Sequence, residues 1–383
     1  MRVVVSCISK FWAFALVEQL EKNGVEVIFF TAYSSIVNPI TAKIVKRKDK
    51  ENIKPETIKT NLLIAFLHKL FRKSPQFVND IFDLWVASRI KKLDADVFIG
   101  WSGMSLNSIK IAKSKGWKTF LERGSTHIEF QNEILQEEYK LRGKIFSIEK
   151  TTIDKEINEY MLADKIVIPS KFVKKTFVDK GVDTKKLLVN HFGASQFFKK
   201  RDYRNNDCFR VLYLGSFSIR KGAYYLFEAI QELKSRDVEF WIIGKVENEV
   251  SDLYEDLKKI PNVKFFGHVN HYQLSDLIEK CSVAIHPSLE EGQSMVINQV
   301  MKVGLPLIAT PNSGAEEIVT HSKTGLIIKP KSTTEIVNAV VNLYENKSIL
   351  HTLTLNVEKL LIEENSWEAY GERYLNFLLN EFK

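Results

Sequence analysis

In Ser288–Gly314, SLEEGQSMVINQVMKVGLPLIATPNSG, two adjacent carboxylates, Glu290 and Glu291, stand just before a Gly-Gln-Ser turn and an apolar helical run opening near Ser294. Carboxylates in a loop accept hydrogen bonds from hydroxyls. A helix that opens beside them turns its free N–H groups and positive dipole end to the same place, which suits a phosphorylated ligand. A second turn supplies cations: Gly215–Gly222, GSFSIRKG, sets Arg220 and Lys221 at the start of a predicted helix from Tyr224 to Lys234. Gly215 and Gly222 let the backbone come close to a pyrophosphate. A third group is Leu121–His127, LERGSTH, a strand end followed by a Gly-Ser-Thr loop, which brings Glu122, Arg123 and His127 to a sheet rim as acceptor or phosphate contacts. Lys10, in the loop after the first strand, is a further candidate phosphate contact. Glu290 is expected at the surface, and Glu149, Glu156 and Glu159 on helix surfaces.

The elements that must hold these groups alternate short β-branched or aromatic runs with longer amphipathic ones, the pattern of a parallel α/β sheet. Predicted strands cover Arg2–Ile8, Val25–Thr31, Val97–Trp101, Lys118–Glu122, Lys165–Pro169 and Leu187–His191, with a helix over Phe11–Lys22 stopped by Gly24. The polar stretch FGASQFFKKRDYRNNDC reads as a linker. A second unit begins at Arg210, with strands at Val238–Gly244, Val263–Phe266, Val283–His286, Leu307–Ala309 and Leu326–Ile328 and a mostly helical end. The expected domains are 1–195 and 208–365, with 366–383 as a C-terminal helix packing back on the first domain.

A chain of 383 residues with 45% hydrophobic side chains fills two such cores. It has no run of about 18 uncharged apolar residues that would span a membrane, and its N-terminus reads as a strand rather than a signal peptide. Cys7, Cys208 and Cys281 are too few and scattered for a disulfide framework or a zinc site, which fits a reducing cytosol. Residues 1–200 carry 35 Lys and Arg against 22 Asp and Glu, and the remainder 20 against 25, so the halves face different surroundings. Residues 42–73 concentrate ten of the cations with three acids around an apolar centre, Leu62–Phe71. Such a segment either covers its own domain or lies on an anionic membrane surface. No nucleic-acid-binding motif is present.

Four segments together resemble glycosyltransferase family 4. EYMLADKIVIPS from Glu159 with its continuation to the Gly loop at Gly193 is similar to the acidic-AD-strand-PS pattern of the family. Gly215–Gly222 is similar to its glycine-rich KG turn, and Ser288–Gly314 with Glu317 to its EG segment and following loop. Thr324–Leu326 with Ser366–Glu368 is similar to its terminal TGLL and SWE elements. The resemblance implies the GT-B fold, two doubly wound Rossmann-like domains facing across a cleft. It also implies a retaining transfer of a sugar from a nucleoside diphosphate donor to the hydroxyl of a glycan or lipid-linked acceptor. The Lys-, Asn- and Ile-rich composition and the basic N-terminal half fit bacterial polysaccharide or glycolipid synthesis, in the cytoplasm or at the inner face of the cell membrane, and no nucleic acid is expected.

By the same resemblance Lys221 meets the donor diphosphate, Glu291 a hydroxyl of the donor sugar, and His127 the region of the transferred sugar, with Gly215, Gly222, Arg220 and Ser294 completing the donor contacts. No cofactor is implied and no metal is required. The sequence departs from the family in three places. Ser216 stands where an Arg is usual, with Arg220 as a substitute cation. Ser9–Phe11 stands where a Gly-Gly loop is common. Gln299 stands where a second Glu is implied to hold the ribose, and its amide keeps one acceptor but loses the charge-assisted grip. A catalytically silent sugar- or nucleotide-binding subunit and a GT-B nucleotide-sugar epimerase are the alternatives this leaves open.

Overall fold

The computed structural model describes residues 1–38, 49, 51–71, 75–193, 208–360 and 366–382. Among them, seven parallel strands form the first sheet: Arg2–Ser6 (β1), Glu26–Thr31 (β2), Ile58–Thr60 (β3), Val97–Trp101 (β4), Lys118–Glu122 (β5), Lys165–Ile168 (β6) and Leu187–Val189 (β7). Their spatial order is β3-β2-β1-β4-β5-β6-β7. Val3, Val4 and Val5 on β1 are all fully buried. Helices cover both faces of a parallel sheet, so its central strands are apolar on both sides, and this is why they read as continuous runs.

The second sheet contains Phe209–Leu214 (β8), Val238–Ile243 (β9), Val263–Gly267 (β10), Val283–His286 (β11), Leu307–Ala309 (β12) and Gly325–Ile327 (β13), in the order β10-β9-β8-β11-β12-β13. Its two faces carry separate apolar clusters, one with Tyr213, Phe217 and Phe240 and the other with Leu212, Trp241 and Met301. Both sheets are doubly wound. The order reverses between β1 and β4 in the first and between β8 and β11 in the second, and open α/β sheets bind ligands at the carboxyl ends of strands beside that reversal.

The strand boundaries lie within one or two residues of the sequence reading, with β4, β5, β11 and β12 matching it. Strand β3 has no counterpart there, because a three-residue edge strand paired only to β2 leaves almost no periodic signal. Residues 42–48, 50, 72 and 73 of the basic insertion and 194–207 of the linker lie outside the described residues. The centre of the insertion is a helix, Leu62–Leu70, whose Asn61 side chain caps the N–H groups of Leu63 and Ile64. It turns Ile64 and Ala65 into the domain core. The last helix, Trp367–Asn380, is capped by Ser366 and buries Tyr370, Tyr374 and Leu378 in the N-terminal core. Gly371 permits that return, since a Cβ there would lie 2.2 Å from the Cβ of Gln19.

The two sheets meet rim to rim. A Cβ on Gly292 would sit 2.0 Å from the carbonyl oxygen of Gly124, so the loops after β5 and β11 touch by backbone. Ser170 Oγ donates to the Gly292 carbonyl at 2.6 Å, Phe192 N–H to Gln293 Oε1 at 2.6 Å, and Asn298 Nδ2 to the Phe192 carbonyl at 2.7 Å.

Candidate active site

The loop after β8 begins with Gly215 at φ +125° and ends with Gly222 at φ +78°, the N-cap of the helix Ala223–Leu233. Side chains are excluded at both. A Cβ on Gly222 would strike the Pro287 carbonyl oxygen at 2.2 Å, and one on Gly215 would lie 3.3 Å from Lys221 Nζ. The ammonium of Lys221 therefore overhangs a bare backbone turn at the start of a helix, an arrangement that receives a phosphate. Its partner is Glu291, with Nζ 3.1 Å from Oε1.

Glu291 is held from three sides. His286 Nε2 lies 3.0 Å from Oε1 and Ser288 Oγ donates to the same oxygen at 2.7 Å. Burial alone would raise its pKa, but the charge of Lys221 and the contacts with His286 outweigh it and hold the carboxyl well below its usual range. His286 is fully buried, and this desolvation lowers its pKa against the pull of Glu291. The result is a fixed carboxylate with its counter-ion beside an open space. That space, about 500 Å³, is lined by Gly215, Ser216, Gly244, Lys245, His268 and Gln299, among others. Ser294, 3% exposed, opens the helix Met295–Val303 and donates its N–H to the Ser313 carbonyl.

Glu290 departs from the sequence reading. It is fully buried, because the opposite domain covers it. Its Oε1 accepts from Ser125 Oγ (2.6 Å), Thr126 Oγ1 (2.6 Å) and Thr126 N–H (3.2 Å), and its Oε2 from Gln131 Nε2 (3.2 Å) and Arg220 Nε (2.9 Å). Arg220 Nε also donates to the Glu290 carbonyl at 2.9 Å. Burial would raise the pKa of Glu290, but Arg220 and the hydroxyls outweigh it and lower it.

The N-terminal rim uses its charged residues differently. Arg123 bonds Glu156 at 2.9 Å, Gln131 Oε1 at 2.9 Å and the Thr126 carbonyl at 3.1 Å, which shapes its own loop. Glu122 is 2% exposed and accepts from Trp12 Nε1 (2.8 Å) and Tyr370 O–H (3.3 Å), and burial pushes its pKa up to about 8. His127 lies between the rings of Tyr160 and Phe177, and its Nδ1 accepts the Glu129 N–H as the N-cap of the helix Ile128–Leu141. Burial and the charge of Arg123 lower its pKa to about 4, so the ring is neutral. Lys10 pairs with Glu51 at 2.7 Å. Glu156 and Glu159, expected on helix surfaces, are buried instead: Glu156 takes Arg123 and the hydroxyls of Ser102 and Tyr160, and Glu159 caps the N–H groups of Gly103 and Ser105.

The structure thus brings together Gly215, Arg220, Lys221, Gly222 and Glu291 and sets Gln299 in the adjoining cavity. It places Glu122, Arg123, His127 and Lys10 in contacts within the N-terminal domain. His286, Ser288, Ser125, Thr126 and Gln131 were not singled out from the sequence. The Val-Ala-Ile-His-Pro-Ser run at the end of β11 could have suggested His286 and Ser288, since both follow the strand into the acidic loop. Nothing local signals that Ser125 and Gln131 reach the other domain.

Residues 208–346 match the family model described as glycosyl transferases group 1. Anabaena HepE, solved in complex with UDP and glucose, superposes with a TM-score of 0.69 at 14% identity, over 99% of this chain and 100% of that one. The chain has the GT-B fold. A curated relative, named an uncharacterized glycosyltransferase of Methanocaldococcus jannaschii, is 26% identical over 213 residues, 54% of this chain and 56% of that protein. The capsular polysaccharide biosynthesis glycosyltransferase CapM of Staphylococcus aureus is 25% identical over 241 residues, 57% of this chain and 63% of its own length. The GT-B chain therefore spans little more than half the length of these curated relatives in its matches. Among the described residues, no helix is long and apolar enough to cross a membrane.

Proposed function

We propose that the protein is a retaining glycosyltransferase of the family 4 type, moving a sugar from a nucleoside diphosphate donor to an acceptor hydroxyl in polysaccharide or glycolipid synthesis. The observation that carries this reading is Lys221 Nζ, 3.1 Å from Glu291 and suspended over Gly215, which itself lines the cavity that Gln299 also lines. The nucleoside occupies that cavity, the diphosphate lies against the turn Gly215–Gly222, and the sugar reaches Glu291. In the reaction the bond from the anomeric carbon to the phosphate oxygen breaks, and its electron pair stays with the diphosphate. The acceptor oxygen bonds to the same carbon and its proton passes to the departing phosphate.

Lys221 and Arg220 lower the barrier by meeting the charge that grows on the leaving group, so the reaction needs no metal ion. Titration with UDP and GDP tests the site. Wild type binds one of them at micromolar Kd, and Lys221→Ala weakens it by about a hundredfold, ~2.7 kcal/mol. Retained affinity in Lys221→Ala, or no binding in wild type, defeats the reading. Because Gln299 replaces the expected carboxylate, nucleotide binding without turnover identifies the silent-subunit alternative, and donor isomerised without transfer identifies the epimerase.

The acceptor side of the proposal is a lipid-linked glycan at an anionic membrane. Its support is the outer face of the helix Leu62–Leu70, where Leu62, Leu63, Phe66 and Leu70 are each more than half exposed beside the exposed Lys54, Lys59 and Lys69. Sedimentation with phosphatidylglycerol vesicles falls in Phe66→Ser and Lys69→Glu. Unchanged sedimentation in both removes the membrane from the proposal.

A further inference from the structure

The carboxylate of Glu290 joins the two domains at the turn where the diphosphate is placed. Its five donors come from both sides of the cleft, Ser125, Thr126 and Gln131 from the loop after β5 and the helix behind it, and Arg220 from the loop after β8. The N-terminal side is itself rigidly backed, because Gln131 is held by Arg123 and Arg123 by Glu156, both within the domain. On the C-terminal side, among the described residues the hydrogen bonds of Arg220 leave from Nε alone, to the side chain and the carbonyl of Glu290. Its Nη groups remain available, and its side chain is 39% exposed.

We infer that Glu290 is a positioning residue, a latch that forms only when the domains close and that then aims the Arg220 guanidinium at the donor diphosphate. The inference rests on the donor site proposed above. With the domains apart, Glu290 returns to water and Arg220 loses the second wall of its socket. With the domains together, the carboxylate is enclosed and each of its oxygens faces only donors.

Carboxylate chemistry is required for this. The Thr126 N–H on Oε1 and the Arg220 Nε–H on Oε2 are fixed donors that cannot reverse. A glutamine offers one acceptor oxygen, so its NH₂ would confront one of the two whichever way the amide turned. A buried donor left facing another donor costs its full desolvation, and the closed state bears that cost while the open state does not. Charge completes the pairing, since among the described residues the only cation bonded to this carboxylate is the one the latch positions.

Two variants of the full chain separate the latch from the donor site. Ser125→Ala with Thr126→Val removes the two hydroxyls among the four N-terminal donors and leaves Arg220 untouched. Glu290→Gln disturbs both halves. Small-angle scattering, with and without saturating UDP or GDP, reads closure, and calorimetric titration with the same nucleotide reads the site. The Ser125/Thr126 variant shows a larger radius of gyration than wild type and a nucleotide affinity about threefold weaker, because the Glu290–Arg220 contact survives on the C-terminal side, whereas Glu290→Gln shows the larger radius and an affinity about tenfold weaker. A purely structural Glu290 would lower the unfolding temperature and change neither reading. If wild type binds one nucleotide and both variants stay as compact as wild type, the latch is refuted and the donor site stands. If wild type binds neither UDP nor GDP, the donor site falls and the aiming of Arg220 falls with it.

Discussion

The two rims that face each other carry similar chemistry and use it in opposite ways. On the C-terminal rim, Lys221 and Arg220 pair with Glu291 and Glu290, residues of the same rim, beside an open cavity. A phosphate arriving at the turn can share the ammonium of Lys221 with Glu291 and meet the Nη edge of Arg220 while Nε stays on Glu290. On the N-terminal rim, Glu122, Arg123 and His127 are committed to Trp12 and Tyr370, to Glu156, and to a helix N-terminus. Position at the carboxyl end of a strand does not decide which use prevails. What decides is whether the partner lies in the fold's interior, where losing it leaves an unpaired buried group, or at a mouth that a ligand can fill.

This contrast predicts that substitutions on the N-terminal rim act on stability and those on the C-terminal rim act on affinity. The largest effect at a single pH belongs to Arg123→Ala. It strands the carboxylate of Glu156, whose side chain is 7% exposed, and lowers the unfolding free energy by about 3–5 kcal/mol in urea titration. Nucleotide affinity of the folded protein stays within threefold. A hundredfold loss of affinity with unchanged stability would erase the distinction between the rims.

Glu122→Gln comes next and is read through pH. The native pKa of about 8 lies above the ordinary value of 4.5, so between those limits the folded chain binds more protons than the unfolded one. Its contribution is therefore fully present below about pH 4.5 and is lost as the pH rises to 8. The decline is on the order of 4–5 kcal/mol. Glutamine keeps a neutral group in that place and flattens this part of the stability profile. An identical slope in wild type and variant would mean that Glu122 is ionised in the fold.

Sequence revealed the fold more completely than the site for the same reason. Strands such as Val97–Trp101 and Val283–His286 are continuous apolar runs whose burial needs no knowledge of distant residues. The glycine turn was legible because Gly215, Lys221 and Gly222 lie within eight residues, and Glu291 stood out beside the turn that opens the following helix. The N-terminal rim was not. Glu122 meets Tyr370 across 248 positions, and Ser125 meets Glu290 across 165, so neither spacing nor composition could show that one carboxyl is neutral and the other a bridge. Glu290 and Glu291 are neighbours in sequence, yet one turns to the opposite domain and the other to Lys221. That division is set by where the two sheets meet, a property of the assembled pair of domains.

The smallest effect sharpens the comparison most, because it alters the cavity without touching a fold contact. Gln299 lines the open space beside Gly215 and Ser216 and is half-buried. In Gln299→Glu the new carboxylate offers two acceptors to a ribose diol where the amide offers one, and the hydrogen bonds gain charge assistance. Nucleotide affinity rises about fivefold, ~1 kcal/mol, in calorimetric titration at low salt, while the unfolding midpoint stays unchanged. The gain disappears with 2′,3′-dideoxy nucleotides, which cannot supply the donors. A shifted midpoint with unchanged affinity would place Gln299 with the committed groups of the opposite rim and detach the nucleoside from this cavity. A gain that the dideoxy analogue retains would detach the effect from the ribose hydroxyls.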